Sequence, residues 1–117
     1  MFTFKKDQYS NIRGGYSALL DIRCQYCGNH ICFYQKDGPG ELRRMYCDRI
    51  VSPKELVEKI KVENFNELNP LQCNNCNRVI AMPIIYEQEN RFALRLFVGA
   101  IKKTKITLKD YNKSIKA

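Results

Sequence analysis

Two C-x-x-C motifs constrain the fold of this chain more than any other feature of its sequence. They are Cys24-Gln25-Tyr26-Cys27 and Cys73-Asn74-Asn75-Cys76, with 45 residues between them. Two intervening residues let both sulfurs of a motif reach one ion at about 2.3 Å, so a pair of such motifs is typical of a tetrahedral zinc site. Gly28 and Asn77, which follow the motifs, favour tight turns around the metal. The sequence therefore predicts a structural Zn²⁺ with four thiolate ligands. These ligands are Cys24, Cys27, Cys73 and Cys76.

Paired cysteines have two other uses, which the spacing alone leaves open. A redox dithiol of the thioredoxin kind lies near a βαβ pattern and usually occurs once in a chain, and disulfides require an oxidising compartment. No apolar segment follows Met1, and no run approaches the ~20 apolar residues of a membrane span. We therefore expect an intracellular, cytoplasmic protein without a membrane partner, in which six cysteines favour metal over disulfides.

The length of the chain predicts one zinc-stapled domain over residues 1–117. Alternating apolar residues predict a mostly β, small α+β fold built from antiparallel hairpins. Asp37-Gly38-Pro39-Gly40 predicts a hairpin turn, and Pro83 places its strand at an edge or a bulge. The predicted strands are 16–23, 31–35, 42–51, 79–86 and 92–101, and the apolar face of the last carries Phe92, Leu94, Leu96 and Val98.

One short helix is predicted over about 53–61. Ser52 is a suitable cap, Pro53 suits the first helical position, and Glu55 completes a capping box. Residues 1–15 show no clear period, so no element is predicted there.

The positive charge is concentrated in the last quarter of the chain. Residues 91–117 carry eight basic side chains and one acidic side chain, Asp110, out of a total net charge of +8. Such an asymmetry is typical of a polyanion-binding surface and also of a solvated lysine-rich face. The segment from about 103 to 117 is predicted either as a flexible basic tail or as a helix capped by Thr107.

The order of strand, C-x-x-C, hairpin, second C-x-x-C and hairpin resembles that of zinc-ribbon proteins. The long distance between the motifs is more similar to the larger β-rich zinc folds, such as the β-tent of Yippee-like proteins and the zinc site of B-type methionine sulfoxide reductases. This resemblance rests on the four motif cysteines and implies a shared zinc site in a β fold. The reductases also need a catalytic cysteine near the C-terminus, and no cysteine follows Cys76 here.

The remaining soft ligands are His30, Cys32 and Cys47. If a hairpin paired Cys32 with Cys47, these three residues would form a second metal or redox site. Because free cysteine is usually a small buried hydrophobe, burial is the favoured interpretation of both thiols.

The glycine-rich loop at 35–40 is the best candidate binding surface, because its backbone allows close approach and nearby cations can hold phosphate. The alternative is a tight turn with solvated charges, in which Arg43 and Arg49 pair with Asp37, Glu41 or Asp48. No recognition helix for a DNA major groove is evident, so single-stranded or structured RNA fits better. The predicted nucleic-acid contacts are Lys36, Arg43, Arg44, Arg95, Lys102, Lys103 and Lys105.

The leading functional prediction is therefore a non-enzymatic binding module that contacts nucleic acid. The first alternative is a protein-interaction adaptor that docks a partner through strand 92–101 or the glycine-rich loop. The second is a thiol enzyme that uses Cys32 or Cys47. One histidine in the whole chain and a closed four-cysteine site argue against catalysis. The oligomeric state does not follow from these patterns.

Overall fold

Two four-stranded antiparallel sheets form the body of the computed structural model, which describes residues 1–115. The strands are β1 (Ser17–Cys24), β2 (His30–Asp37), β3 (Arg44–Tyr46), β4 (Ile50–Ser52), β5 (Leu71–Gln72), β6 (Val79–Tyr86), β7 (Arg91–Leu96) and β8 (Ile101–Ile106). The first sheet has the order β4-β2-β1-β8 and the second has the order β3-β7-β6-β5. The predicted mostly β, small α+β class is confirmed.

Three helices accompany the sheets: α1 (Gln8–Ile12), α2 (Lys54–Ile60) and α3 (Leu108–Ile115). α2 lies where the sequence predicts a helix, but its capping differs from the prediction. Its N-cap is Pro53, and no side chain caps it. The Ser52 hydroxyl instead accepts a hydrogen bond of 3.0 Å from the Tyr111 hydroxyl of α3. No helix in the described part of the chain is both long and apolar enough to cross a membrane.

α1 has no counterpart in the sequence-based prediction. It is five residues long, too short to show an amphipathic period. A side-chain cap starts it: the Asp7 carboxylate accepts hydrogen bonds from the backbone N–H groups of Tyr9 and Ser10. The Ser10 hydroxyl in turn accepts from the Asp7 backbone N–H, which completes a capping box.

The glycine-rich loop joins the two sheets, so the predicted hairpin across it is wrong. The run 42–51 is divided into β3, a 3₁₀ turn and β4. β4 pairs with β2, whereas β3 pairs with β7 in the other sheet. Gly38 allows the crossing because its φ is +76° and because a Cβ there would lie 2.8 Å from the Arg13 Cβ.

The predicted strand 92–101 also divides between the sheets. β7 ends at Leu96, and β8 begins at Ile101 in the first sheet. The expected single apolar face therefore stops at Leu96, and Val98 is fully exposed in the turn between the strands. At Pro83, β6 pairs only with β7, because β5 reaches no further than Ala81. That position is a local sheet edge, as predicted.

The main hydrophobic core lies between the two sheets. Leu20 and Ile22 of β1 and Met45 and Leu94 of the second sheet belong to one buried cluster. Phe33 points to the opposite face of the first sheet, because neighbouring strand residues alternate in direction. On that face, the Phe33 ring centroid lies 4.8 Å from the ring centroid of Tyr111 in α3.

Of the two alternatives for the C-terminal segment, the described residues adopt the helix. The Thr107 hydroxyl accepts the backbone N–H of Asp110 at 3.0 Å, which is the predicted cap. Residues 103–106 belong to β8, where they pair with β1. Residues 116 and 117 of the predicted tail lie outside the described residues.

Candidate metal centre and adjoining basic groove

Each C-x-x-C motif forms the turn of a β-hairpin. The first motif connects β1 to β2, and the second connects β5 to β6. In both turns, the N–H of the first cysteine donates to the carbonyl five residues later, and the N–H four residues later donates back, all at 2.9 Å. The residue at that fourth position has a positive φ, 77° at Gly28 and 65° at Asn77. Glycine and asparagine tolerate this conformation best, which explains the turn-forming residues after each motif.

The two hairpins bring the four predicted thiols together. The Sγ atoms of Cys24 and Cys76 are 3.7 Å apart, and those of Cys27 and Cys73 are 3.6 Å apart. All four sulfurs lie within 4.8 Å of one another. A tetrahedral ion with bonds of about 2.3 Å separates its sulfur ligands by about 3.8 Å, whereas a disulfide needs about 2.05 Å. The cluster therefore has the spacing of a metal site, and its cysteines are free thiols.

The electrostatics of the cluster favour a cation at its centre. The Asn75 side chain, together with the Asn29 backbone, lowers the pKa of the Cys27 thiol to about 6. The Arg78 backbone N–H lowers the pKa of Cys76, but burial and the adjacent thiols outweigh it and raise that pKa to about 11. The adjacent thiols therefore oppose the charging of Cys76. A bound cation would remove that opposition.

Contacts between the two motifs extend beyond the sulfurs. The Asn29 side-chain amide donates to the Cys73 Sγ at 3.9 Å. The Arg78 guanidinium lies 4.0 Å from the centroid of the Tyr26 ring, which forms a cation–π contact from one motif to the other. Four thiolates would occupy all four coordination positions of a tetrahedral ion. Structural zinc sites are coordinated in this way, whereas catalytic zinc sites keep one position open.

His30, Cys32 and Cys47 do not join a second metal cluster among residues 1–115. Cys32 is fully buried beside Met45, and burial raises the pKa of its thiol to about 12. Burial likewise raises the pKa of the half-buried Cys47 to about 11. His30 Nδ1 lies 2.7 Å from the Asp21 carboxylate. Neither thiol has the low pKa of a reactive cysteine.

Two adjoining grooves, which share residues 41–43, contain most of the predicted nucleic-acid contacts. The first groove, of about 250 Å³, lies beside the end of β2 and β3. The second, of about 490 Å³, lies beside the end of β7 and the start of β8. We refer to the two together as the basic groove. The predicted cations that line it are Lys36, Arg43, Arg44, Arg95 and Lys103.

The other two predicted contacts lie on β8 outside the groove lining. Lys105 is on the same face of the strand as Lys103, and its ammonium group donates to the Tyr16 hydroxyl. Lys102 is on the opposite face, where it pairs in register with Arg23 of β1. The structure therefore brings five of the seven predicted contacts together and separates Lys102 from them.

The cations of the basic groove are poorly balanced by carboxylates. Within residues 1–115, the one ion pair that involves the five predicted cations joins Arg43 and Glu41 at 3.7 Å, and both of those side chains are exposed. Arg13, which also lines the groove, pairs with Glu89 at 2.8 Å. Arg44 and Arg95 are direct cross-strand partners in the pairing of β3 with β7. Like charges placed opposite each other on neighbouring strands repel and destabilise the sheet.

Lys36 shows the same imbalance at the other end of the groove. Burial, followed by the charge of Lys103, lowers the pKa of its ammonium group. The Lys36 Nζ donates to the Gly38 carbonyl at 2.6 Å, which fixes the side chain. Two lysines are thus close enough to influence each other across the groove, and a bound anion would relieve their repulsion.

Phe97 and Arg13 are groove residues that the sequence analysis did not identify. Phe97 is the aromatic one of the two. The predicted strand 92–101 would place it on the face opposite the apolar one, but the structure places it in the turn after β7 with its side chain half exposed. Gly99, whose φ is +73°, is the sequence signal for that turn.

Comparison of the chain with models of protein families, with curated proteins and with solved structures finds no match.

Proposed function

We propose that this protein is a non-enzymatic binding module that holds one structural Zn²⁺ and contacts nucleic acid through the basic groove. The observation that carries the nucleic-acid proposal is the facing pair Arg44 and Arg95, with Lys36 and Lys103 close by and few carboxylates to balance them. Such an arrangement lowers the stability of the free protein, so a bound polyanion accounts for it better than solvation does.

Zinc fits the chemistry of the cysteine cluster. Four thiolates with sulfur separations of 3.6 and 3.7 Å between opposite motifs match the tetrahedral geometry that zinc adopts with sulfur ligands. Cys24 and Cys27 extend from the first sheet, whereas Cys73 and Cys76 extend from the second. The ion would therefore link the two sheets at one end of the core.

Nucleic acid fits the sign of the groove. The two parts share residues 41–43, so the five cations belong to one connected surface. Binding of a phosphate backbone to that surface releases condensed counterions, which supplies affinity and makes it dependent on salt.

The test is the salt dependence of binding by the zinc-loaded protein. Fluorescence anisotropy with short labelled RNA and DNA oligonucleotides should show binding at low salt, and the slope of log K against log salt should be about −3 to −4 for five phosphate contacts on a single strand. Arg95→Gln with Lys103→Gln should reduce the steepness of that slope by about 1.4. Lys54→Gln with Lys59→Gln, on α2 away from the basic groove, should leave it unchanged.

Two results would contradict the proposal. One is an absence of binding at low salt by protein that carries one zinc per chain. The other is an equal effect of the groove variant and the α2 variant, which would indicate that only net charge matters. Either result would favour the protein-interaction alternative.

A further inference from the structure

The Phe97 side chain lines the basic groove together with two cations. Its side chain is 50% exposed, and it lines the same part of the groove as Arg95 and Lys103. The backbone around it is fixed, since its N–H donates to the Ile80 carbonyl at 3.0 Å and its carbonyl accepts from Ala100 at 3.2 Å. The ring is therefore presented to solvent from a defined turn.

The Phe97 ring has no aromatic partner within the described part of the chain. Two other aromatic rings on the second sheet are already covered by cations. The Arg44 guanidinium lies 4.5 Å from the Tyr86 ring centroid, and the Arg91 guanidinium lies 3.7 Å from that of Tyr46. Of these three rings, Phe97 is the one that leaves a face free for a planar ligand.

We propose that the basic groove binds single-stranded nucleic acid, with one unpaired base stacked on Phe97 and the flanking phosphates held by Arg95 and Lys103. This inference rests on the proposed function and specifies its ligand. A base stacks on an aromatic side chain only when it is unpaired, whereas a duplex offers mainly its phosphates to such a surface.

The remaining cations define the path of the strand beyond Phe97. Arg43 belongs to the segment that the two grooves share, and Lys36 and Arg44 line the first groove. A strand that leaves Phe97 along this path meets a cation in each part of the groove. Stacking tolerates any base, so we expect weak sequence preference.

The experiment compares three ligands of the zinc-loaded protein: a labelled single strand, the same strand in a duplex, and inorganic polyphosphate, which has charge but no bases. We expect the single strand to bind at least about 10-fold more tightly than the duplex. Phe97→Leu should weaken binding of the single strand by about 10-fold, the size of one base–aromatic stack, and leave binding of polyphosphate unchanged. Phe97→Tyr keeps an aromatic ring and should retain the affinity.

Equal affinity for the duplex and the single strand would overturn the inference, as would an unchanged affinity of Phe97→Leu for the single strand. In either case the proposed function would survive if binding remained salt-dependent and sensitive to Arg95→Gln with Lys103→Gln. If the Phe97→Leu variant lost its zinc, the inference would still be tested by the ratio of single-strand to duplex affinity in the unsubstituted protein. Absence of all nucleic-acid binding would reject both proposals.

Discussion

Arg49 is a buried cation that connects three segments of the chain. Its side chain is 1% exposed, and its guanidinium lies 2.6 Å from the Asp7 carboxylate and 2.7 Å from that of Asp37. The hydrogen bond from Arg49 lowers the pKa of Asp7 to about 2. Because Asp7 caps α1, Asp37 ends β2 and Arg49 ends the 3₁₀ turn before β4, one side chain fixes the N-terminal segment against the first sheet.

Replacement of Arg49 should therefore destabilise the fold strongly. Arg49→Ala leaves the 4%-exposed Asp37 carboxylate without its cation, so we expect the free energy of unfolding to fall by about 3–5 kcal/mol. Arg43→Ala is the matched control, because Arg43 forms an exposed pair with Glu41 and should change stability by less than about 1 kcal/mol. Urea denaturation of the zinc-loaded proteins measures both values. Similar losses in the two variants would contradict this account.

At the scale of elements, the two metal-binding turns have the same backbone conformation at one position but different residues there. Gly28 and Asn77 occupy equivalent positions with positive φ, and open space surrounds the position where a Cβ on Gly28 would lie. A Cβ at Gly28 would therefore meet no steric obstacle, and the cost of alanine there would come from the backbone conformation alone.

This equivalence predicts different costs for two substitutions at one position. Gly28→Ala should lower the free energy of unfolding by about 1–2 kcal/mol, because alanine disfavours the left-handed conformation. Gly28→Asn should cost less, since asparagine adopts that conformation at the equivalent position in the second turn. Thermal denaturation and competition for zinc with a chromogenic chelator would measure the difference. If Gly28→Asn lowered the free energy of unfolding as much as Gly28→Ala, the equivalence of the two turns would be refuted.

The elements that the sequence predicted correctly are those determined locally. β1 follows alternating apolar residues that end at the first metal-binding turn, β6 follows a run of apolar residues that begins after the second, and α2 follows a serine–proline start. The sheet that β3 joins could not be predicted, because the turn chemistry of Gly38 to Gly40 specifies a change of direction but not the sheet that the chain enters next. The alternation in 42–51 likewise predicts one continuous strand and gives no sign of the 3₁₀ turn at Cys47–Arg49. Tertiary ion pairs of Asp48 and Arg49 stabilise that turn. The spacing of the cysteines, by contrast, was sufficient to predict the cluster.

At the scale of the whole molecule, the cysteine cluster lies at the point where the two sheets meet. Each sheet contributes one hairpin and two thiols, while the core between the sheets is built from apolar residues of both. A metal there would hold the two sheets together rather than stabilise either sheet alone. Its removal should weaken the whole fold, because binding and folding are linked.

Chelation should lower the free energy of unfolding by about 4 kcal/mol relative to protein in free zinc at 1,000 times its dissociation constant. Urea denaturation with chelator, and again after zinc is restored, measures this change. Cys73→Ser should abolish the response to zinc. Cys47→Ser, which changes a half-buried thiol outside the cluster, should keep one zinc per chain. An unaltered response of Cys73→Ser would reject the metal site.

The facing arginines Arg44 and Arg95 have a consequence for how variants of this protein would be selected. Because repulsion between them weakens the free protein, a neutral residue in place of the exposed Arg95 should raise its melting temperature while it removes a proposed contact to nucleic acid. Arg44 also covers the Tyr86 ring, so its replacement would lose that contact as well. A search for heat-resistant variants would therefore enrich substitutions that weaken the proposed binding. Heat resistance and nucleic-acid binding would have to be screened together, because a substitution that improves one of them would weaken the other.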